Sequence, residues 1–129
     1  MFKDIFTLML GGIFGTFLRY EISYVLFERV FKFLTPWPTL IVNVMGAFLI
    51  GLLYEICIIS SCSLLFKKFL IIGFLGAFTT FSTYSLEVIN LIRTGEIQKA
   101  LIYIILSNFL SLATVFIGIL FTRKIIYYS

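Results

Sequence analysis

The stretch FLIIGFLGAFTTFSTYSLEVINLI, residues 69–92, decides the fold of this chain. It is long and apolar enough to cross a lipid bilayer as a helix, for which about 20 residues suffice. Its centre, however, places Phe81 and Tyr84 among five Ser and Thr residues, shortly after Gly76. Because glycine and clustered hydroxyls compete with helical hydrogen bonds, this pattern predicts a helix that is broken in mid-membrane. Lipid tolerates such a break only where the backbone is buried in protein or lines a cavity.

Three further apolar runs lie on either side of this stretch, at residues 5–27, 39–59 and 100–121. Of all residues, 61% are hydrophobic and only 12% are charged, a surplus too large for the core of so short a soluble chain. The first run is interpreted as a span rather than a signal peptide, because no small-residue cleavage site closes it. The sequence therefore predicts an all-α membrane protein in which residues 1–129 form one domain of four transmembrane helices.

The residue types exclude several classes of function. Histidine is absent and cysteine occurs only at Cys57 and Cys62, so a catalytic histidine and a Cys/His zinc site are both excluded. No pair of nucleophile and base is present, and an enzyme is therefore not expected. The two cysteines flank a serine-rich turn, where free thiols are expected and a disulfide is the alternative. The net charge of +4 resides at helix ends, which favours contact with lipid headgroups over nucleic acid.

The positive charges are spread almost evenly over the two sides of the membrane. Four spans put both termini on one side, which carries five Lys and Arg residues, whereas the other side carries four, or five with Arg19. A fixed orientation normally requires a clear excess on the cytoplasmic side. The chain is therefore expected to insert in both orientations and to form an antiparallel homodimer, although a weak bias in a short chain is also compatible with one orientation. The charges counted are Lys3, Lys67, Lys68, Arg123 and Lys124 on the terminal side, and Arg29, Lys32, Arg93 and Lys99 on the other.

Arg19 and Asn43 are polar residues within the first two runs. Arg19 shares a helix face with Gly11 and Gly15, since the three are spaced by four. Charge within a membrane is costly, so Arg19 is interpreted as a fixed positive charge that attracts an anion or ties loops together, with snorkelling to the interface as the alternative. Asn43 either donates hydrogen bonds to an anion in a pore or bonds a neighbouring helix.

The fourth run carries a polar track at Tyr103, Ser107, Ser111 and Thr114. Offsets of 4, 8 and 11 keep these residues within one stripe of a helix. The stripe is interpreted as part of an ion pathway, and hydrogen bonding between helices is the alternative. Asn108 lies off the stripe and is assigned to packing.

The polar groups that the sequence analysis assigns to a pathway are hydroxyls, the amide of Asn43, aromatic edges and one arginine. No carboxylate is expected in mid-span, because Glu87 and the other acidic residues fall toward the ends of the runs. Hydroxyl and amide groups donate hydrogen bonds, and aromatic rings have a positive edge that can face an anion. This chemistry indicates a small anion that accepts strong hydrogen bonds.

Three segments in the same order resemble the Fluc (CrcB) family of fluoride channels. They are GGIFGTFLRY at residues 11–20, TLIVNVMG at 39–46 and GFLGAFTTFSTYSLE at 73–87. The resemblance implies a channel that exports fluoride passively across the inner membrane of a bacterium and limits fluoride toxicity. It also implies an antiparallel, dual-topology homodimer with two pores and a structural Na⁺ at its centre.

The resemblance also implies roles for individual residues. The Na⁺ would be bound by the backbone carbonyls of Gly76 and Thr79, and the aromatic pore residues would be Phe81 and Tyr84. The second aromatic is often Phe in the family, whereas here it is Tyr84, whose added hydroxyl either donates to the ion directly or turns away from it. Ala77 is a milder departure from a common glycine. With Arg19, the remaining residues of the implied pathway are Asn43, Ser82, Thr83, Tyr103 and Ser107.

Two other kinds of membrane protein compete with this reading. A small dual-topology exporter of cationic drugs would need a membrane-embedded carboxylate to exchange protons for its substrate. The first run offers only Glu21, near its end. A scaffold subunit would explain the faces of small residues but not the hydroxyl-aromatic cluster of residues 79–85.

Overall fold

The computed structural model describes residues 1–30 and 36–128, so the prediction for Lys32 lies outside the described residues. Four helical spans are long and apolar enough to cross a membrane: Phe2–Val30, Trp37–Ile59, Leu64–Arg93 and Ile97–Tyr127. The chain is 91% helical, and strands are absent from the part that is described. The prediction of an all-α membrane protein with four spans is confirmed.

Each span is built from one or more helical segments. The first consists of α1 (Phe2–Val25) and a π-helical turn, and the second is α2 (Trp37–Ile59), which begins with Pro38 in its first turn. Proline suits this position because the first amides of a helix have no helical acceptor. The third span contains four helical segments, and the fourth is the continuous helix α6 (Ile97–Tyr128). The segments of the third span are α3 (Leu64–Lys67), the π-helical Lys68–Leu75, α4 (Gly76–Phe78) and α5 (Phe81–Arg93).

Glycines allow the spans to pack with their backbones in contact. Gly11 and Gly15 lie against the backbone of the third span, where an added Cβ would collide with the carbonyl oxygens of Phe69 and Phe74. The small-residue face of the first run is therefore a packing face. Gly51 of α2 and Gly118 of α6 approach in the same way and hold the second span against the fourth.

A disulfide and two ion pairs tie the ends of the spans together. Cys57 and Cys62 are disulfide-bonded, so the expectation of free thiols is wrong. The turn after α2 brings their Cα atoms within 4.7 Å, which falls in the range that a disulfide requires. In addition, Lys68 contacts Asp4 at 2.9 Å, and the Arg123 guanidinium contacts the buried Glu55 carboxylate at 2.7 Å.

Candidate functional site

The third span is interrupted near its middle, as the sequence predicts. Helix α4 ends at Phe78 and α5 begins at Phe81. The two residues between them are extended, with φ −84° and ψ 156° at Thr79 and φ −147° and ψ 115° at Thr80. The break therefore lies within the hydroxyl-rich cluster.

Asn43 of α2 satisfies the backbone at this break. Its Oδ1 accepts a hydrogen bond from the Thr80 amide at 2.8 Å, and its Nδ2 donates to the Thr80 carbonyl at 3.0 Å. The Thr80 amide thus binds a side chain on another span instead of continuing the helix to the Gly76 carbonyl. This pairing matches the helix-bonding alternative for Asn43, and it supplies the internal partners that a break within lipid requires.

The hydroxyl of Thr80 starts the second half of the span. It accepts a hydrogen bond from the Thr83 amide at 3.2 Å, which is an N-cap for α5. It donates to the Thr83 hydroxyl at 3.0 Å and lies 3.2 Å from that of Ser82. Thr79 instead bonds back to the Leu75 carbonyl through both its amide and its hydroxyl, each at 3.0 Å. The two threonines thus terminate one helix and begin the next.

Two cavities meet at Thr80. The first, which we call the break cavity, has a volume of about 420 Å³. Its polar lining includes Asn43, Thr79, Thr80, Tyr84, Ser107 and Ser111, together with the ring of Phe81. The second, which we call the arginine cavity, has a volume of about 450 Å³. Its polar lining includes Arg19, Thr39, Thr80, Thr83 and Glu87. Thr80 lines both cavities and is the lining residue that they share.

The arginine cavity contains a carboxylate that the sequence analysis placed at a span end. Glu87 accepts hydrogen bonds from the Thr39 hydroxyl at 2.8 Å and from the Tyr103 hydroxyl at 2.7 Å. The arginine cavity therefore includes a carboxylate that the sequence analysis did not place there. Spacing was the signal that could have found it, because Thr80, Thr83 and Glu87 are three and four residues apart and share a helix face.

Arg19 is half-buried and lines the same cavity as Glu87. Among the residues that the structure describes, no carboxylate lies within ion-pair distance of its guanidinium. Its positive charge is thus not neutralised by a direct salt bridge. An uncompensated cation on the wall of a cavity attracts anions.

The predicted track on the fourth span divides into three kinds of residue. Tyr103 is fully buried behind the cavities and donates to Glu87. Ser107 and Ser111 line the break cavity, and the buried Ser107 hydroxyl, although near Tyr103, makes no hydrogen bond within the described part of the chain. Thr114 bonds to carbonyls of its own helix and, at 3.3 Å, to the Val44 carbonyl of α2. The alternative of hydrogen bonding between helices therefore holds for Thr114.

Phe81 and Tyr84 stand side by side at the break cavity. Their ring centroids are 5.4 Å apart, and the Tyr84 ring meets the Tyr103 ring edge-on at 5.2 Å. Phe81 is 75% exposed on the single chain, whereas Tyr84 is half-buried.

Asn108, which sequence reasoning assigned to packing, also lines this cavity and donates a hydrogen bond to the Tyr84 hydroxyl at 3.2 Å. Sequence reasoning missed Asn108 because it directly follows Ser107 and therefore lies off the predicted stripe of polar residues.

Comparison with known proteins identifies the family to which this chain is similar. The family described as "CrcB-like protein, Camphor Resistance (CrcB)" matches residues 6–119. A protein of Parabacteroides distasonis named "Fluoride-specific ion channel FluC" is 39% identical over 122 residues, which are 95% of this chain and 94% of the relative. Relatives with the same name from Saccharophagus degradans and Thermus thermophilus are 40% and 42% identical, over 91% and 84% of this chain and 87% and 86% of their own lengths. The chain therefore belongs to the CrcB family.

Proposed function

We propose that this protein is a fluoride-selective channel, not an enzyme, that lets fluoride leave the bacterial cytoplasm passively and so limits fluoride toxicity. The observation that carries the proposal is the hydroxyl of Ser107, which is buried on the wall of the break cavity and has no hydrogen-bond partner among the described residues. A buried polar group without a partner costs free energy, which a hydrogen-bonding ligand in the cavity recovers. Relatives named for fluoride conduction support the assignment.

The lining of the break cavity favours an anion that accepts hydrogen bonds. No charged side chain lies among its described lining residues, whereas Ser107, Ser111 and the remaining N–H of Asn43 are neutral donors. Hydrogen bonds to an ionised acceptor are about twice as strong as those between neutral groups. Fluoride is the smallest halide and concentrates its charge most, so it gains the most from such donors.

The two cavities provide the proposed route. Arg19 attracts fluoride into the arginine cavity, and the ion then passes along Thr83 and Thr80 to the break cavity with its aromatic wall of Phe81 and Tyr84. The roles of Ser82 and Tyr103 in this pathway stay predictions. Tyr103 acts indirectly, from outside the cavity lining. Its hydroxyl donates a hydrogen bond to the Glu87 carboxylate and so keeps that carboxylate bonded to the protein.

Two copies of the chain would complete the channel as an antiparallel homodimer with two pores and a central Na⁺. The even distribution of positive charge supports both orientations. The donor set fits the ion, because Asn43 diverts the Thr80 amide from the Gly76 carbonyl, and both Gly76 and Thr79 line the cavity. Carbonyl oxygens are ligands that suit a hard cation, and they add no negative charge to an anion path.

The fluoride proposal is tested with purified protein in liposomes. Vesicles loaded with potassium fluoride or potassium chloride are diluted into a gluconate medium, valinomycin is added, and anion release is followed with ion-selective electrodes. We expect rapid fluoride release and chloride release close to that of protein-free vesicles. Equal release of the two anions would contradict the proposal.

The sodium proposal has a separate test. Na⁺ is replaced throughout purification and assay by N-methylglucamine, and fluoride release and dimer stability in detergent are measured. We expect both to fall and to recover on adding Na⁺, because an ion that binds only the assembled protein stabilises it. Since the ligands are main-chain atoms, Thr79→Ala should weaken the dependence less than Gly76→Pro. Full activity and stability without Na⁺ would rule the site out.

Glu87 is the one observation that favours the alternative of a drug exporter, since it is a carboxylate within a span. Its two oxygens, however, already accept hydrogen bonds from Thr39 and Tyr103, and Arg19 shares its cavity. A positive charge in the same cavity repels a cationic substrate. Release of fluoride without uptake of a lipophilic cation would exclude this alternative.

A further inference from the structure

We propose that Asn108 positions the hydroxyl of Tyr84 as a hydrogen-bond donor to the anion in the break cavity. The inference rests on the proposed fluoride function and deepens it. It assigns Tyr84 a polar contact through its hydroxyl, in addition to the apolar ring that it shares with phenylalanine. It also assigns a positioning role to Asn108.

The neighbours of Asn108 determine how its amide is oriented. Its Nδ2 lies 2.8 Å from the Ile104 carbonyl oxygen, which can only accept a hydrogen bond. The group that faces this oxygen is therefore the NH₂ and not the amide oxygen. The same nitrogen lies 3.2 Å from the hydroxyl oxygen of Tyr84.

This orientation determines the direction of the second hydrogen bond. An amide NH₂ has hydrogens to donate and no capacity to accept, so the oxygen of Tyr84 must be the acceptor. A phenol that accepts from Asn108 keeps its own O–H hydrogen for another partner. Within residues 1–30 and 36–127, no acceptor receives that hydrogen.

The ring of Tyr84 contacts two other aromatic rings. Phe81 packs against it at 5.4 Å between ring centroids, and Tyr103 meets it edge-on at 5.2 Å. Tyr103 is itself fully buried and tied to Glu87 by its hydroxyl. The phenol is therefore oriented before any ligand arrives, and a donor that needs no reorganisation binds charge more strongly.

A second donor lies in the same cavity. Ser107 precedes Asn108 in α6, and its hydroxyl is buried without a hydrogen-bond partner in the described chain. Tyr84, through its hydroxyl hydrogen, and Ser107 thus offer two donors without an acceptor in residues that line one cavity, whose described lining carries no carboxylate. This pair requires an acceptor, and an anion satisfies it better than a neutral molecule.

The test is a double-mutant cycle on fluoride release from liposomes. Tyr84→Phe removes the hydroxyl and keeps the ring, and we expect release to slow by about tenfold, as for the loss of one hydrogen bond to a charged group. Asn108→Leu removes the positioning donor and should slow release by about three- to tenfold. In the Tyr84→Phe background Asn108→Leu should have no further effect, because the hydroxyl that it positions is already gone.

Matched controls separate this role from general damage to the protein. Tyr54→Phe removes a hydroxyl from an exposed residue of α2, and Asn90→Leu removes an amide from an exposed position of α5, both outside the two cavities. Both variants should conduct like the original protein. Circular dichroism and gel filtration establish that each variant folds and assembles.

The outcomes distinguish failure of the inference from failure of the proposed function. If the unaltered protein releases fluoride no faster than chloride, the proposed function fails. If it is selective but Tyr84→Phe conducts normally, the hydroxyl is not a donor to the ion and the inference is wrong. If Asn108→Leu slows release equally in both backgrounds, Asn108 acts without Tyr84, and the positioning role is overturned.

Discussion

The third and fourth spans both carry rows of hydroxyl residues, yet only the third is broken. In α6, the hydroxyls of Thr114 and Thr122 bond to the carbonyls of Leu110 and Gly118 at 2.8 and 3.0 Å, and the helix continues. In the third span Thr79 bonds back to Leu75 in the same way, but the amide of the next residue is taken by Asn43. Hydroxyls alone therefore leave a membrane helix intact. At the break, an amide on another span supplies both a donor and an acceptor to the backbone.

The largest effect should follow from changing that amide. Asn43→Asp replaces the donor to the Thr80 carbonyl with an oxygen and places a negative charge in the break cavity. We expect fluoride release from liposomes to fall by about a hundredfold or more, since like charges repel strongly where the dielectric constant is low. Asn90→Asp, at an exposed position of α5, is the control for added charge and should conduct normally. Normal release by the Asn43 variant would mean that the pathway does not pass this pair.

The next-largest effect is expected when one glycine of the fourth span and one of the third are each replaced by alanine. In α6, an added Cβ at Gly118 would collide with the Phe48 carbonyl, whereas at Gly76 in the third span the nearest atom is the Ile71 carbonyl oxygen at 3.9 Å. We expect Gly118→Ala to lower the free energy of unfolding by about 1–3 kcal/mol, the usual cost of overpacking. Gly76→Ala should leave it unchanged or raise it slightly. Thermal unfolding in detergent measures both, and equal effects would show that the continuous span is no more tightly packed.

An aromatic residue on each span gives a third comparison. Phe81 of the third span lines the break cavity and is 75% exposed on the single chain, while Phe109 of the fourth is 69% exposed and lies outside both cavities. Phe81→Ile should slow fluoride release by about tenfold, because it removes a ring edge that faces the anion. It should leave the folded protein intact, and Phe109→Ile should conduct normally. Equal rates for the two variants would remove Phe81 from the pathway.

The smallest effect concerns the threonines themselves. Thr80 caps α5, whereas Thr114 sits within a continuous helix that has no terminus to cap. Thr80→Ala should lower the free energy of unfolding by about 1 kcal/mol, as is typical for the loss of an N-cap. Thr114→Ala should lower it by less, because the backbone hydrogen bonds of α6 persist. A larger loss for Thr114→Ala would mean that its bond to Val44 matters more than the cap.

Much of the fold and part of the site could be predicted from the sequence. The four spans follow from the length of the apolar runs, and the break follows from the clustered hydroxyls after Gly76. The site was predicted less completely, because its members come from different spans. Glu87 was assigned to a span end and Asn108 to packing, although both line cavities in the structure. The pairing of Cys57 with Cys62 was also missed, since a turn's geometry is not evident from its composition.

Composition and periodicity alone determined that this protein lies in a lipid membrane, that it is all-helical, and where its third span breaks. These properties are local, because each depends on the hydropathy and hydrogen-bonding habits of neighbouring residues. Only the tertiary structure decided that Asn43 binds the backbone of Thr80, that Glu87 turns toward Thr39 and Tyr103, and that Asn108 reaches Tyr84. Each of these hydrogen bonds joins residues that are 16 to 48 positions apart in the chain. The packing of the spans against one another brings these partners together, and no local pattern contains that information.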